Sequence, residues 1–463
     1  MANYSETSVF NPSGEKIWLG QYADRKLAIT QISSSEQNNA LAYVLGLTDR
    51  VDNTPLFSSK QIFKKAIELN FINQDNNVPG FVTVLPKTKI IERIVEKINS
   101  MHFKKINAVE ISFPTFFDYN IMEMQELAKS YEFEERMFKL GGADEEIRVS
   151  YAADPGLFLW LKGKKFRANS LPYAVYTYTL VYRRFKGGEL GGFPRLREFP
   201  MPDLHIICSK KDAKNLYLEN IKIAAENMRF LLGEDWAFSI DITPTLLSRL
   251  EGFIQDICKA IKKHCTVNIL SNKPRYYDIK SVFMMDAGDC AIMNYNMQWD
   301  EENPKRFNIS SEENHEIVIL HGTLMHSWYK ILPVFINRTL TGKDKGLLPY
   351  HISPLQVSIL PTSENYITAA ENLRQILISN NMRTAILGGK KNLSKAIQLS
   401  HKNLIPYFII VGEEEAASKR FYVTSAADNQ VQELDEFINK MKSINDLTPV
   451  NLFGRYDFND LFL

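Results

Sequence analysis

Two patterns of apolar and polar positions divide the chain near residue 340. In the first part, apolar strand-like runs are interspersed with segments whose apolar residues recur at helical spacing. The predicted helices are Lys87–Met101, Leu216–Leu232, Thr245–Lys263 and Thr323–Phe335. The predicted strands are Ile111–Phe116, Val175–Val181, Leu204–Cys208, Glu316–Leu320 and several runs within Ser281–Asp300. Antiparallel strands flanked by helices predict an α+β domain.

Beyond a polar boundary segment at Thr339–Gly346, strands and helices alternate. The predicted strands are Val357–Leu360, Arg383–Leu387, Tyr407–Val411 and Arg420–Val423, and the predicted helices are Glu364–Ser379, Leu393–His401 and Val431–Met441. This alternation predicts a parallel α/β domain of about a hundred residues.

The first 76 residues carry the weakest pattern. They predict a strand at Leu27–Ile32 and short helices at Ala40–Leu47 and Gln61–Leu69. We therefore treat residues 1–76 as an N-terminal extension of unknown role.

Composition narrows the class of protein. Of the 463 residues, 45% are hydrophobic and 24% are charged, which are values of globular proteins. The net charge of +1 excludes a polycation that binds by bulk charge, although a local basic patch remains compatible with nucleic acid. The four cysteines form no C-x-x-C pair, which favours a reducing compartment. Because the sequence has neither a signal-peptide pattern nor a membrane-length apolar run, we expect a cytoplasmic protein without a membrane partner.

Candidate chemistry is concentrated between Tyr182 and Cys208. Two strand-like runs flank a glycine-rich loop there, which predicts a long antiparallel hairpin. Arg183 enters the loop and Arg195 leaves it, and paired guanidinium groups suit an anionic ligand such as a triphosphate. Phe199 offers a flat ring on which a nucleobase can stack. The alternative is a basic surface hairpin whose arginines are solvated.

These residues resemble a motif of class II aminoacyl-tRNA synthetases. That motif is an arginine near the end of one strand, followed by Arg-x-x-x-Phe on the next strand, as in Arg183 and Arg195–Phe199. Within the class the resemblance is to threonyl-tRNA synthetases, through Asp203-Leu-His205. Further ordered matches over residues 78 to 450 are Asp154-Pro155-Gly156, Tyr277, Lys280, Gln298, Asp300, Pro304, Phe307 and His321.

The resemblance implies that ATP activates an amino acid as its adenylate. Arg183 would be the catalytic residue, because it would hold the α-phosphate and the attacking carboxylate. Arg195 would bind the γ-phosphate, Phe199 would stack on adenine and Gln298 would lie near the ribose. Lys330 stands where the family has an ATP-binding arginine, and Mg²⁺ normally bridges the phosphates.

The resemblance also implies a metal site at Asp154, His205 and His321. In the family, a cysteine and two histidines bind Zn²⁺ and leave a coordination position open to the substrate. Asp154 replaces that cysteine here. Two imidazoles and a carboxylate suit Zn²⁺ but also Fe²⁺ and other divalent ions. The alternative is that no metal binds and that Asp154 pairs with a cation or with the substrate amine.

Three more residues are expected to contact the amino-acid substrate. Asp203 would accept a hydrogen bond from a side-chain hydroxyl, and Tyr277 would contact the amino group. Lys280 completes the matched Tyr-x-x-Lys motif. The resemblance therefore favours threonine or a similar small hydroxy amino acid.

Several positions depart from the family pattern. Phe185 replaces a glutamate that reads the adenine amino group. His326 and Lys330 replace a glycine and an arginine, and lysine lacks the planar fork of arginine. Thr424 stands near the family's anticodon-reading arginine, whereas Glu415 retains an acidic residue at a possible anticodon contact.

Three functions remain open from the sequence. The first is a threonyl-tRNA synthetase-like ligase, with a catalytic domain at 77–340, an anticodon-binding-like domain at 348–450 and no N-terminal editing domain. The second is a paralogue that transfers the activated amino acid to a carrier protein or a small molecule. The third is a synthetase-like binding protein without catalysis. The resemblance of Lys87–Phe116 to the dimer-forming motif of the class predicts a homodimer.

Overall fold

The computed structural model describes residues 4–20, 29–34, 36–47, 50–52, 54–75, 78–130, 136–141, 147–273, 275–323, 326–389, 392–453 and 458. The chain divides into two units. The first comprises residues 1–54, 78–81 and 99–331, and the second comprises residues 55–77, 82–98 and 332–463.

A sheet of ten strands forms the centre of the first unit in the part of the chain that the structure describes. The strands are β1 (Tyr4–Phe10), β2 (Lys16–Gly20), β3 (Val109–Glu110), β4 (Tyr173–Tyr182), β5 (Glu198–Ser209), β6 (Trp236–Ile242), β7 (Cys265–Leu270), β8 (Tyr277–Asp286), β9 (Ala291–Asp300) and β10 (Ile317–Thr323). Their order is β2-β1-β7-β6-β8-β9-β10-β5-β4-β3. Neighbours are antiparallel except the β6/β7 and β3/β4 pairs. The predicted α+β fold is confirmed.

The helices lie before, between and after these strands. They are α1 (Asn39–Val44), α2 (Ser59–Glu68), α3 (Pro86–Lys105), α4 (Met122–Ser130), α5 (Asp154–Leu161), α6 (Lys210–Leu232), α7 (Pro244–Arg249), α8 (Phe253–Ile261), α9 (Asn303–Arg306), α10 (Trp328–Leu340), α11 (Ile367–Ser379), α12 (Leu393–Lys402), α13 (Glu413–Ser418) and α14 (Leu434–Leu447). Short two-stranded ribbons pair Ile72–Asn73 with Thr83–Val84, Phe116–Asp118 with Ile147–Val149, and Lys165–Phe166 with Ser310–Ser311.

The predicted hairpin is formed by β4 and β5. Phe199 pairs with Val181 and His205 with Val175, so the hairpin register runs through the candidate residues. Pro200 and Pro202 lie before β5 gains its second neighbour, because pairing with β10 begins only at Leu204. A missing N–H is tolerated where a strand has one partner.

Several predicted elements were wrong in extent. The helix predicted over Thr245–Lys263 is two helices, α7 and α8, because Gly252 adopts a left-handed φ of 72° between them. The helix predicted from Thr323 begins at Trp328, since Thr323 still pairs with Asn296 in the sheet. The strand predicted over Ile111–Phe116 is interrupted around Pro114, which cannot donate to a ladder.

The second unit contains a smaller mixed sheet. Its strands are β11 (Val357–Pro361), β12 (Thr384–Ile386), β13 (Tyr407–Val411), β14 (Tyr422–Ser425) and β15 (Val431–Glu433), in the order β12-β11-β13-β14-β15. β11 is parallel to β12 and β13, whereas the last two strands are antiparallel. The expectation of a wholly parallel domain was therefore wrong, since β14 pairs antiparallel with β13. The helix predicted over Val431–Met441 was also wrong in extent, because Val431–Glu433 forms β15 and the helix begins at Leu434.

The N-terminal segment contributes to the large sheet. β1 pairs with β7 over Tyr4–Phe10, and Val9 packs with Trp18 and Leu41 in a small apolar cluster. Residues 27 and 28 of the predicted Leu27–Ile32 strand lie outside the described residues, and residues 29–30 are helical. Among the described residues, we find no helix with the length and apolar character needed to span a membrane.

Candidate active site

Three buried side chains from separate elements meet on one face of the large sheet. Asp154 opens α5, whereas His205 and His321 are cross-strand partners on β5 and β10. The Oδ1 atom of Asp154 lies 3.0 Å from Nε2 of His205 and 3.2 Å from Nδ1 of His321. The fold thus brings the three residues of the predicted metal set together, with candidate ligand atoms within 4.8 Å of one another.

Two further residues complete the hydrogen bonding of this cluster. Nε2 of His321 lies 3.0 Å from Oδ2 of Asp300, and the Tyr276 hydroxyl donates to Oδ2 of Asp154 at 3.3 Å. Asp300 also accepts a hydrogen bond from the Asn303 side chain at 2.7 Å, which fixes its orientation. Sequence reasoning gave neither residue a role. The only signals were that Asp300 belongs to a matched motif and that Tyr276 adjoins Tyr277.

The cluster holds a defined distribution of charge. Burial disfavours ionisation of Asp154, but hydrogen bonds from both histidines hold its pKa well below the usual range. Burial alone would lower the pKa of His321, yet its hydrogen bonds to Asp154 and Asp300 raise it to about 9. Burial lowers the pKa of His205 despite its bond to Asp154. The free site therefore carries an imidazolium at His321 between two carboxylates and a neutral imidazole at His205.

The donor set fits a divalent metal ion. Two imidazoles and one carboxylate are three ligands that leave a coordination position open on zinc. Asp300 holds the second nitrogen of His321, which is the usual arrangement around a ligating histidine. Nδ1 of His321 would have to lose its proton before it could bind a metal, so the site must release a proton on metal binding.

A row of polar side chains continues from the cluster across the sheet. Lys280, Gln298, His321 and His205 are successive cross-strand neighbours on β8, β9, β10 and β5. Side chains opposite each other on antiparallel strands share a face, so this register places an ammonium and an amide beside the histidines. The amide is held in place because Nε2 of Gln298 donates to Oδ1 of Asn296 at 2.6 Å.

Cations are concentrated beside this row. Burial, with Arg183 and Lys280 nearby, lowers the pKa of Lys330 to about 7. Burial, with Arg275 and Arg183 nearby, lowers the pKa of Lys280 to about 8. Among the described residues, the buried Nε of Arg183 has no hydrogen-bond partner. These cations are buried and repel one another, so an anion that binds between them lowers their electrostatic energy. The arrangement therefore favours an anionic ligand.

The remaining candidates on this face are largely enclosed. Asp203 is buried and lies two residues before His205, on the same face of β5. Tyr277 is buried, and the Lys280 ammonium lies 5.8 Å from its ring centroid. Phe199 is buried as well, with the Arg183 guanidinium 5.2 Å from its ring centroid.

Arg195 is engaged within the hairpin loop. Its Nη1 donates to Glu189 at 3.3 Å, and the same carboxylate oxygen accepts a hydrogen bond from Arg136 at 2.7 Å. Both guanidinium groups lie over the ring of Phe185, at 5.3 Å for Arg136 and 5.8 Å for Arg195. The phenylalanine that replaces the family's glutamate is thus a platform for two arginines.

A cavity of about 940 Å³ adjoins this loop. Its lining residues are basic, aromatic, apolar or glycine: Met137, Phe138, Lys139, Arg184, Phe185, Lys186, Gly187 and Arg197. Arg197 is fixed there because its guanidinium donates to the Phe185 carbonyl at 2.6 Å. Cations interleaved with aromatic rings suit a phosphate-bearing, base-bearing ligand.

His326 is a buried residue whose side chain and backbone are both hydrogen-bonded to neighbouring asparagines. Its Nδ1 lies 2.6 Å from the side-chain nitrogen of Asn294, and its carbonyl accepts a hydrogen bond from Asn99 at 2.8 Å. Burial lowers the pKa of His326 to about 3, so the imidazole is neutral. The two preceding positions, 324 and 325, lie outside the described residues.

Comparison of the sequence with known proteins gives one family match and two similar proteins. Residues 356–444 match the family model described as "Anticodon binding domain". Threonine–tRNA ligase of Pyrococcus horikoshii is 28% identical over 380 residues, which cover 79% of this chain and 60% of that relative. The enzyme of the same name from Thermococcus sibiricus is 28% identical over 374 residues, which cover 78% of this chain and 59% of that relative.

The fold is similar to a solved structure from Cryptosporidium parvum, described as the RNA binding domain of threonyl-tRNA synthetase. The TM-score is 0.68 at 20% identity, and the match covers 84% of this chain and 98% of that one. The large, mainly antiparallel sheet and the match of residues 356–444 to an anticodon-binding domain model make the chain similar to class II synthetases. Within that class the chain is threonyl-tRNA synthetase-like, as the sequence resemblance predicts. It spans about 60% of the length of the curated relatives it matches.

Proposed function

We propose that this chain activates an amino acid with ATP as an aminoacyl-adenylate and transfers it to tRNA. The amino acid is threonine or a similar small hydroxy amino acid. The observation that carries the proposal is the cross-strand row in which Gln298 and Lys280 continue from the two histidines, with Arg183 and Lys330 near Lys280. Similarity to threonine–tRNA ligases over most of the chain supports the same function.

The cations serve the chemical step by neutralising charge. Arg183 holds the α-phosphate and the carboxylate of the amino acid, so that the carboxylate oxygen attacks phosphorus in line. Its stacking between Tyr151 and Phe199, at 4.5 and 5.2 Å, fixes the guanidinium before the ligand arrives. Arg195, Phe199, Gln298 and Lys330 complete the proposed ATP site, and Mg²⁺ bound to the phosphates reduces their repulsion.

Asp154, His205 and His321 would hold Zn²⁺ in this proposal. The metal would supply a Lewis acid at its open position for the amine and hydroxyl of the substrate. Asp203 accepts a hydrogen bond from the substrate hydroxyl. Tyr277 and Lys280 orient the amino and carboxylate groups of the substrate. An amino acid without a hydroxyl could not donate this hydrogen bond to Asp203, and the loss of that contact gives selectivity.

The proposed partners are tRNA and a second copy of the chain. The domain at 348–450 binds the anticodon arm, and the basic cavity beside the hairpin loop receives RNA near the catalytic domain at 77–340. Within residues 1–76, β1 and β2 add two strands to the large sheet of that domain. Dimerisation uses an apolar groove of about 710 Å³ that includes Phe113, Phe116 and Trp160.

Amino-acid-dependent exchange of pyrophosphate into ATP tests the proposal. The assay uses a panel with threonine, serine and hydroxylated analogues, without tRNA and with added Zn²⁺. We expect exchange with one small hydroxy amino acid and its loss in Arg183→Ala, because no other residue takes over the α-phosphate. Arg167→Ala, an exposed arginine paired with Glu312, is the matched control.

Four outcomes separate the hypotheses. Exchange followed by charging of tRNA supports the proposed ligase. Exchange without charging of any tRNA would instead favour a carrier protein or small molecule as acceptor. Wild-type exchange in Arg183→Ala would contradict the site assignment, and no exchange with any amino acid would favour a binding protein.

A further inference from the structure

The ring expected to stack on the nucleobase is covered by another ring. Only 4% of Phe199 is exposed, although stacking on a base requires an open face. The ring of Tyr329 lies 4.6 Å from that of Phe199 between centroids, at an interplanar angle of 36°. The structure therefore has an aromatic side chain where an aromatic ligand would be placed.

The Tyr329 side chain is held in an unusual environment. It is buried, and among the described residues its hydroxyl has no hydrogen-bond partner. The Lys330 ammonium lies 4.8 Å from its ring centroid. Leaving a buried hydroxyl unpaired costs free energy, so this position of the ring is less favourable than its packing alone indicates.

We propose that Tyr329 covers the base-binding face of Phe199 and that a nucleoside triphosphate gains stacking only when the Tyr329 ring moves away. This inference rests on the proposed use of ATP. The cations Arg183, Lys280 and Lys330 recognise the phosphates in either state. Tyr329 therefore determines how much the base contributes to affinity.

Calorimetric titration with ATP and with inorganic tripolyphosphate, both with Mg²⁺, tests this cover. We expect wild-type protein to bind the two ligands with affinities within about threefold, because the base finds no open ring. Tyr329→Leu removes the ring and keeps apolar volume, so ATP should bind about fivefold to a hundredfold tighter, the value of one base stack. Its tripolyphosphate affinity should not change.

Tyr329→Phe is the matched control, because it keeps the covering ring and loses only the hydroxyl. It should discriminate between ATP and tripolyphosphate as little as wild type does. Wild-type protein that binds ATP more than tenfold tighter than tripolyphosphate, and loses that advantage in Tyr329→Leu, would overturn the cover and make Tyr329 part of the base site.

A second measurement needs no variant. The triphosphate of the fluorescent base 2-aminopurine is titrated into wild-type protein, since stacking on an aromatic ring quenches its emission. We expect binding without quenching, and strong quenching would overturn the cover. Absence of binding for tripolyphosphate as well as ATP would instead remove the proposed function, so the two failures are distinguishable.

Discussion

Asp154 accepts hydrogen bonds from two imidazoles and a phenol within a buried cluster. The first turn of α5 adds the favourable end of a helix dipole to a carboxylate. These contacts lower the pKa of Asp154, which stays ionised, and they raise the pKa of His321, which stays protonated. At the scale of single residues, the exchange of cysteine for aspartate thus changes the charge of the free site as well as its ligand chemistry.

Asp300→Asn tests the support that His321 receives. The change removes a carboxylate whose hydrogen bond orients the imidazole. We expect metal affinity to fall about tenfold to a hundredfold, as for other partners of ligating histidines. Competition with a chelator, followed by elemental analysis of the protein, measures the loss. Asp278→Asn, where the carboxylate contacts Lys273 instead, should bind metal normally.

Lys330 predicts a pH dependence of phosphate binding. Burial lowers the pKa of Lys330 to about 7, so its side chain is protonated and positive below pH 7. The positive charge is lost as the pH rises above 7. The affinity of wild type relative to Lys330→Arg should fall about tenfold between pH 6 and pH 8, because the guanidinium stays protonated. Titration with tripolyphosphate at each pH measures the ratio, which also cancels ionisation of the ligand. A ratio that does not change with pH would contradict the lowered pKa.

At the scale of elements, the register of the sheet assembles the site. Lys280 on β8 opposes Gln298 on β9, which opposes His321 on β10, which opposes His205 on β5. A slip of one residue in any of these pairings would turn a site residue to the opposite face. Antiparallel pairing without a bulge at these positions therefore matters more to function than the length of any strand.

A substitution at Gly156 tests whether close packing fixes the position of α5, the helix that carries Asp154. A Cβ at Gly156 would lie 2.6 Å from the Cβ of Phe113, so Gly156→Ala must shift the helix or the ring. We expect a loss of about 1–3 kcal/mol in the free energy of unfolding, measured by denaturant titration.

Gly141→Ala is the control for this loss. A Cβ at Gly141 meets no atom within 4 Å, so stability should stay within about 0.5 kcal/mol of wild type. A loss in Gly141→Ala as large as that in Gly156→Ala would contradict the contact with Phe113 as the cause, because Gly→Ala by itself restricts the unfolded chain and favours folding.

At the scale of the whole molecule, the proposed dimer surface can be tested by comparing two exposed apolar residues, one inside the groove and one outside it. Phe116 lies in the apolar groove and is 53% exposed. Leu19 lies on β2, an edge strand of the large sheet, and is 55% exposed. An apolar groove of this kind is typical of a surface that another protein covers.

Phe116→Glu should convert the protein to a monomer, because a charge cannot be buried unpaired in an apolar interface. Sedimentation velocity measures the mass. Leu19→Glu, with equal exposure and equal change of charge, should leave the dimer intact. A monomeric wild-type protein, or a dimer that survives Phe116→Glu, would contradict the proposed surface.

The sequence alone determined what depends on neighbours along the chain. The hairpin that carries Arg183 and Phe199 and the two patterns of strand and helix follow from local periodicity and turn residues. The resemblance to threonyl-tRNA synthetases also rests on ordered spacing. The apolar spacing alone predicts one helix over Thr245–Lys263 and does not show the break at Gly252, which comes from the left-handed φ of that glycine.

Only the tertiary structure decided which distant residues meet and in what state of charge. Asp154, His205 and His321 become neighbours because α5 packs against two paired strands, and Asp300 then selects the imidazole nitrogen that it holds. The cover of Phe199 by Tyr329 is likewise a contact between residues far apart along the chain. Burial and register set these pairings and the pKa values that follow, and neither quantity can be read from spacing alone.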